Sequence, residues 1–487
     1  MINTMMEQNI ISKSIRWSGL GEILAKIMAP IANMILARVL MPDDFGVLAS
    51  INMIITFVDL FTDSGFAKYI IQSDFDSDEE LYQFVNVAFW SNFVVSFVLW
   101  LLIVIFRNQV AIIVGIPGYG KVIAIASFQL LLTSFSSIQT ALLKRFFNFK
   151  VLFISRIATA AVPLIITIPV AIVSRSYWAL IIGSLSSAFL AALILTIKSR
   201  WKPSLYYSFH QLKKMLSFSM WSLAEAVAYW LGTWADVFII GTTFSAYYLG
   251  IYKNSFNMVN SIMALVNASV IPVLFSSLSR LKNTQKEFAE VYFSMQRIAS
   301  YFLIPMGIGL FVFRIFVTNI MFGSNWNEAS TIVGVWSLAS VTMLLFAGFN
   351  GEAYKAKGRP QVLFAFEITY LAVMIPVCLF MKSIGFWELV YTRGMLIIVQ
   401  VIIGLFYMKK FVGFSMTKMI TNVFPAIIPS LVMGIMGTFL AKKSLGLVWN
   451  LASIAICGIV YFILLFLLFK HIAKTDFNVF KNKYDMH

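Results

Sequence analysis

Charge is scarce in this sequence. Only 12% of its 487 residues are Asp, Glu, Lys or Arg, against about a quarter in soluble domains. Histidine occurs three times and cysteine twice. No His/Cys pair has metal-ligand spacing, so no metal site is expected. Cys378 and Cys457 both sit inside apolar runs, which leaves no disulfide framework to argue from. There is no GxxxxGK(S/T) phosphate loop, so ATP is not the direct energy source. No catalytic constellation is visible, and the chain is expected to be no enzyme. What is present is apolar: 60% hydrophobic residues, 16% aromatic residues and a mean hydropathy of +0.86. That composition excludes a soluble enzyme, a disordered chain and a nucleic-acid binder. The formal charge of +16 therefore reads as basic loops facing an anionic leaflet, not as a DNA surface.

A helix needs about 20 mostly apolar residues to cross the hydrocarbon core. Such segments fall at roughly 17–38, 45–67, 84–106, 121–143, 151–174, 177–197, 215–241, 247–275, 295–319, 329–350, 361–381, 386–408, 420–441 and 446–469. The expected fold class is all-α, a polytopic membrane protein with about 14 transmembrane helices. The longest connections are the acidic 68–83 and the basic 198–214. The start of the chain has no charged, apolar and small-residue cleavage pattern, so no cleaved signal peptide is expected. With the N-terminus inside, cytoplasmic positions collect roughly three Lys or Arg for each one outside. This pattern predicts cytoplasmic termini and an even number of spans.

Trp17-Ser18 and Trp221-Ser222 recur at the same offset as Phe45-Gly46-Val47 and Leu249-Gly250-Ile251. Both sets open a long helix, a short outer turn and a second long helix. An ungapped offset across two helices predicts a duplicated six-helix unit. The copies would be two pseudo-symmetric six-helix lobes, 1–197 and 215–408, joined by the cytoplasmic basic segment 198–214. Two C-terminal helices and a cytoplasmic tail would occupy 409–487. Two such lobes around a central cavity are a common transporter plan. Resemblance between any two hydrophobic hairpins is the competing explanation.

An ionisable residue in mid-membrane costs at least about 2.5–3.5 kcal/mol on insertion scales, so it should face protein or water. Four stripes of polar residues recur at helical spacing. They are Glu22, Lys26 and Asn33; Asn52, Thr56, Asp59 and Asp63; Glu225, Tyr229 and Asp236; and Lys253, Asn257, Asn260 and Asn267. Their helices open the two proposed repeats. Four polar faces on paired helices imply a hydrated cavity, with Arg393 of the twelfth span facing the second lobe's interior. Two readings stand for the uncharged members: cavity lining, or hydrogen bonding between helices with no substrate involved. Glu22 and Lys26 could neutralise each other at i, i+4, and Lys253 could snorkel. Asp59 and Asp63 have no basic residue at i±3 or i±4, which favours a functional role for at least one of them. Tyr229, Trp230 and Trp234 could stack a sugar ring, and core packing or an interfacial belt accounts for the same residues.

Several short motifs resemble those of bacterial oligosaccharide flippases of the polysaccharide transporter family. That family shares a superfamily with multidrug extruders and the lipid II flippase. Leu36-Ala37-Arg38 through Met41-Pro42-Asp43-Asp44-Phe45-Gly46 resembles the family's "LARLLxPxDFG". Asp63-Ser64-Gly65-Phe66 with Ile70-Ile71-Gln72 resembles its "DxGFxxALIQ". Ala141 to Arg145, with Phe149-Lys150, resembles the basic turn between its fourth and fifth spans. Asp236, Ile240-Gly241 and Leu249-Gly250-Ile251-Tyr252 resemble its "DxxxIGxxLGxxxLGxY", and Lys357-Gly358-Arg359-Pro360 follows. The family often has Arg after the second "IG", where this chain has Thr242 and Thr243; a contact made by that Arg does not transfer.

The resemblance implies a substrate and a place. The substrate is an undecaprenyl-pyrophosphate-linked oligosaccharide, carried across a bacterial inner membrane for surface polysaccharide synthesis. Lys26, Lys253 and Arg38 would hold the pyrophosphate. Asp59, Asp63, Glu22 or Asp236 would bind H⁺ or Na⁺ as the coupling ion, the one bound species expected besides substrate. Expected partners are the lipid-linked substrate, membrane lipids and, in the same pathway, a polysaccharide polymerase and glycosyltransferases, with no nucleic acid. Two other functions compete: a cation-coupled multidrug exporter on the same fold, and an integral membrane glycosyltransferase or polymerase. The short outer connections argue against the latter.

Overall fold

A backbone that enters hydrocarbon must satisfy its own N–H and C=O groups, and a helix does so within one segment. The computed structural model describes residues 17, 21, 24–63, 65–199, 201–443 and 445–484, and among them every regular element is helical. In chain order the helices are α1 (24–39), α2 (Pro42–Asp63), α3 (Phe66–Gln72), α4 (Asp78–Ile105), α5 (Arg107–Ile113), α6 (Gly120–Ala126) and α7 (Gln129–Arg145). Next come α8 (Phe149–Val162), α9 (Ile168–Ser174), α10 (Trp178–Lys198), α11 (Phe209–Thr243), α12 (Ala246–Arg280), α13 (Gln285–Val312) and α14 (Arg314–Phe322). The last are α15 (Ala329–Thr342), α16 (Phe349–Ala356), α17 (Pro360–Met381), α18 (Phe386–Phe411), α19 (Met416–Thr421), α20 (Phe424–Lys442) and α21 (Leu447–Tyr484).

Among the described residues, 13 helical stretches are long and apolar enough to cross a membrane, from Pro42–Phe61 to Leu447–Lys470. The chain is an all-α, multi-pass membrane protein. The first expected span lies partly outside the described residues, and its described part is α1. Several expected boundaries differ from the structure, and two of them show why. The acidic 68–83 is not merely a connection: it holds most of α3 and the first turn of α4. Ser77 Oγ accepts from the Glu80 N–H (3.1 Å), and Glu80 Oε2 accepts from the Asp76 N–H (2.8 Å). Acidic side chains here cap a helix start, where the dipole favours them. The ninth span begins at Gln285 and not at 295, because polar residues at the membrane edge continue the helix.

The chain divides into two compact units, Met1–Lys253 and Asn254–His487. In the first, α7 packs on α4 and α10, and α2 packs on α11. Its core includes Phe66, Tyr69, Phe84, Phe89 and Trp201. The segment after α10 lies along α4: Trp90 Nε1 donates to the Ser204 carbonyl (2.8 Å), and the Ser204 N–H donates to Asn86 Oδ1 (2.9 Å). In the second unit, α13 packs on α15, α20 and α21, and α17 on α18. Tyr461 OH donates to the Tyr301 carbonyl (2.8 Å), tying α21 to α13.

Local features recur between the units. Phe106 (φ −95°, ψ 21°) breaks the helix before Arg107, and Phe313 (φ −95°, ψ 18°) does so before Arg314. The helix ends at Arg145 and Ala356 carry the same closing turn. Phe147 N–H reaches Lys144 O and Asn148 N–H reaches Leu143 O; Gly358 N–H reaches Lys355 O and Arg359 N–H reaches Tyr354 O. Each turn is closed by a residue with positive φ, Phe147 (53°) or Gly358 (67°), as a Schellman motif requires.

Candidate functional site

The polar stripes place several charged groups inside the spans, and the structure shows what each one meets. In the first unit, α2 presents Asn52, Thr56 and Asp59, all half-buried. Thr56 Oγ1 donates to the carbonyl oxygens of Asn52 (2.7 Å) and Met53 (3.2 Å). It accepts from Trp230 Nε1 on α11 (3.2 Å). The Trp230 ring tilts against Phe57 at 4.8 Å. Asp59 Oδ1 accepts from Thr133 Oγ1 of α7 (3.4 Å). Lys26 and Asn33 of α1 are half-buried, and Arg38 is exposed. Glu22 and the side chain of Asp63 lie outside the described residues.

A second cluster forms where α11 turns back into α12. Asp236 is buried (4% exposed). Its Oδ1 accepts from the Val237 N–H (2.8 Å), and its Oδ2 accepts from Tyr252 OH (2.8 Å). Next to Tyr252 on α12, Lys253 is 9% exposed. Its ammonium lies 4.0 Å from the Trp234 ring centroid, on the same α11–α12 hairpin as Asp236. A desolvated cation gains from both an aromatic face and an opposite charge. Glu225 is half-buried, whereas Tyr229 is 72% exposed. Of the three aromatic candidates, Trp230 and Trp234 are engaged by other protein groups.

In the second unit, Asn257 is exposed, and Asn260 Oδ1 accepts from Ser340 Oγ (3.2 Å). Asn267 Oδ1 is buried and meets no donor among the described residues. Arg393 is buried at 5% exposure. Its Nη1 donates to Tyr370 OH (2.8 Å), and its guanidinium lies 5.2 Å from the Trp336 ring. A cavity of about 500 Å³ between α13, α20 and α21 is walled by apolar side chains, and none of the candidate residues lines it.

The family described as "Polysaccharide biosynthesis protein" matches residues 35–331, which include α2, the Trp230 contact and the Asp236–Lys253 cluster. The chain belongs to this family. It is similar to the succinoglycan biosynthesis transport protein ExoT of Rhizobium meliloti, at 20% identity over 73% of this chain and 71% of that one. It is similar also to the lipopolysaccharide biosynthesis protein WzxC of Escherichia coli, at 23% identity over 74% of this chain and 73% of that one. Among solved structures it shares the fold of the lipid II flippase MurJ in an inward closed conformation, with TM-score 0.75 and 16% identity over 94% of this chain and 99% of that one. Of these, ExoT is named as a transport protein and MurJ as a flippase.

Sequence reasoning did not find Thr133 or Tyr252 as partners of the two aspartates. Thr133 stands in a visible stripe with Gln129, Ser136 and Thr140, which reads as packing. No spacing rule links Tyr252 to Asp236, because they sit on different helices. The Trp234–Lys253 contact had a signal: both lie near the same interhelical turn, within reach across a hairpin.

Proposed function

We propose that this protein is a flippase for an undecaprenyl-pyrophosphate-linked oligosaccharide, moving it from the cytoplasmic to the outer leaflet of a bacterial inner membrane for surface polysaccharide synthesis. Movement is by alternating access coupled to H⁺ or Na⁺, and both termini are cytoplasmic. A pyrophosphate and a chain of sugars cannot shed their water into hydrocarbon, so the head needs a polar route through protein. The observation that carries the reading is the set of ionisable groups kept inside the spans of a polysaccharide-family protein: Asp59 against Thr133, Asp236 against Tyr252, Lys253 against Trp234, Arg393 against Tyr370. Lys253 is the first choice for the pyrophosphate, with Lys26 and Arg38. Asp59 and Asp63 are the coupling acids, because loading a carboxylate shifts the balance between inward and outward states. A polysaccharide polymerase and glycosyltransferases supply and consume the substrate.

The test is translocation of a defined undecaprenyl-pyrophosphate oligosaccharide by the purified chain in vesicles. The unmodified protein is expected to expose the sugar to an external lectin, faster under an H⁺ or Na⁺ gradient. Asp59→Asn/Asp63→Asn should remove the gradient dependence. A gradient response unchanged in that variant would refute coupling through these acids. Transport of an amphiphilic cation but no lipid-linked sugar would move the protein to the multidrug reading.

A further inference from the structure

The Lys357-Gly358-Arg359-Pro360 turn takes no part in the proposed translocation, yet it is the centre of a staple in the second unit. Lys357 Nζ donates to the Lys282 carbonyl (2.9 Å) and to Gln285 Oε1 (2.8 Å). Gln285 Nε2 donates to the Val412 carbonyl (2.6 Å), and Arg359 Nη1 to the Phe411 carbonyl (3.0 Å). Three short connections, 281–284, 357–359 and 412–415, are thereby fixed to one another. Rings support them from beneath. Phe414 lies 6.1 Å from Phe288 and 5.0 Å from Phe293. The Lys357 ammonium stands 4.4 Å from the Phe288 centroid, and that of Lys418 4.7 Å from Phe293.

Around this rigid base Lys282, Lys286, Lys409, Lys410 and Lys418 are exposed. Among the described side chains of these connections and the turns beside them, the acids are Glu287, Glu290 and Glu352, and Glu352 is already paired with Lys355 at 3.0 Å. Positive charge is therefore in excess. Burial, and then the Arg359 charge beside it, holds the Lys357 ammonium below the ordinary lysine range. An anion bound here would relieve that repulsion. Two of the connections join spans directly, at Arg280 and Gln285 and at Ala356 and Pro360, and the third follows the span end at Phe411 and leads into the short α19. The basic plate consequently sits at the level of lipid headgroups.

We propose that this plate binds the headgroup of an anionic glycerophospholipid of the adjoining leaflet. The phosphate is shared between Lys282 and Lys286 on one side and Lys409 and Lys410 on the other, while the acyl chains stay in the bilayer. A lipid is the fitting occupant because it is present at that depth at high local concentration. A basic residue at a membrane surface gains roughly fivefold in affinity for anionic lipid.

The experiment is native mass spectrometry of the full-length chain, released from mixed phosphatidylglycerol and phosphatidylcholine vesicles. The unmodified protein should retain phosphatidylglycerol over phosphatidylcholine. Lys282→Gln/Lys286→Gln/Lys409→Gln/Lys410→Gln leaves every staple hydrogen bond in place and should cut that preference by roughly tenfold or more. Lys198→Gln/Lys202→Gln/Lys213→Gln/Lys214→Gln removes the same charge from the first unit and should cut the preference by clearly less. Equal retention of the two lipids, or equal loss in both variants, would overturn the proposal. So would displacement of the lipid by millimolar inorganic pyrophosphate, which would mark a free-phosphate site. Should the glutamine variant fail to accumulate, the quadruple Lys→Arg variant decides, because it must keep the preference.

Discussion

Asp236 and Lys253 are opposite charges held inside the spans, and their value to the protein can be measured. Removing one member of a buried pair leaves the other uncompensated, a loss of about 3–5 kcal/mol in soluble cores. Asp236→Asn and Lys253→Gln are each expected to lower the thermal midpoint of the solubilised protein. The double variant should lose less than the two singles together, by at least about 1 kcal/mol. Additive losses would show that the two groups do not act as a pair. Tyr252→Phe removes only the hydroxyl that donates to Asp236 (2.8 Å) and should cost about 1.5–3 kcal/mol. At this scale the sequence shows which residues share a helical face, and no more. The period of a helix brings Asn52, Thr56 and Asp59 to one side, but the choice of Trp230 or Thr133 as partner depends on how helices pack. Glu22 and Lys26 illustrate the same gap: an i, i+4 pair is legible in the sequence, its environment is not.

Helix starts are set by close approach of backbones at two glycines. A Cβ on Gly46 of α2 would overlap the carbonyl of Ala246, and one on Gly250 of α12 would overlap the carbonyl of Pro42. These glycines sit in the two recurrent tripeptides, so the motif that suggested duplication also marks a mutual crossing. Gly46→Ala and Gly250→Ala are expected to abolish accumulation of monodisperse protein, since backbone cannot yield as a flexible side chain does. Gly309→Ala on α13, where a Cβ would meet nothing, should be neutral or stabilising by up to about 1 kcal/mol. Size-exclusion profiles of the three variants check this, and a normal profile for Gly46→Ala would contradict it. The spans themselves were legible, because long apolar runs allow no alternative in hydrocarbon. Their edges were less so. Hydropathy reports where water is, while a helix continues wherever its hydrogen bonds do, through Asp78–Glu80 and from Gln285 to Arg297. The break at Phe106 coincides with the expected end of the third span, whereas the one at Phe313 falls inside the expected ninth, although both precede an Arg.

For the whole molecule the open quantity is which face looks inward, and the second unit supplies a decisive test. Alternating spans place 281–284, 357–359 and 412–415 on one face, as the Lys357 and Arg359 hydrogen bonds require. The turn at 382–385 falls on the opposite face. The first face carries Lys282, Lys286, Lys355, Lys357, Arg359, Lys409, Lys410 and Lys418, while the second carries Arg314, Lys382, Lys442 and Lys443. Basic residues near span ends resist translocation, so the proposed orientation puts the first face in the cytoplasm. The native thiols, Cys378 and Cys457, are buried and offer a membrane-impermeant maleimide no ready target. An Asn283→Cys variant should therefore be labelled only in inside-out vesicles or after permeabilisation. Ser383→Cys should be labelled in intact cells once any outer barrier is opened. The reverse pattern would invert the proposed direction of transport, because the proposed route collects the lipid-linked sugar on the cytoplasmic side. Labelling of both positions from one side would mean an even number of crossings between them, where the spans from α13 to α17 give three, and would break that assignment.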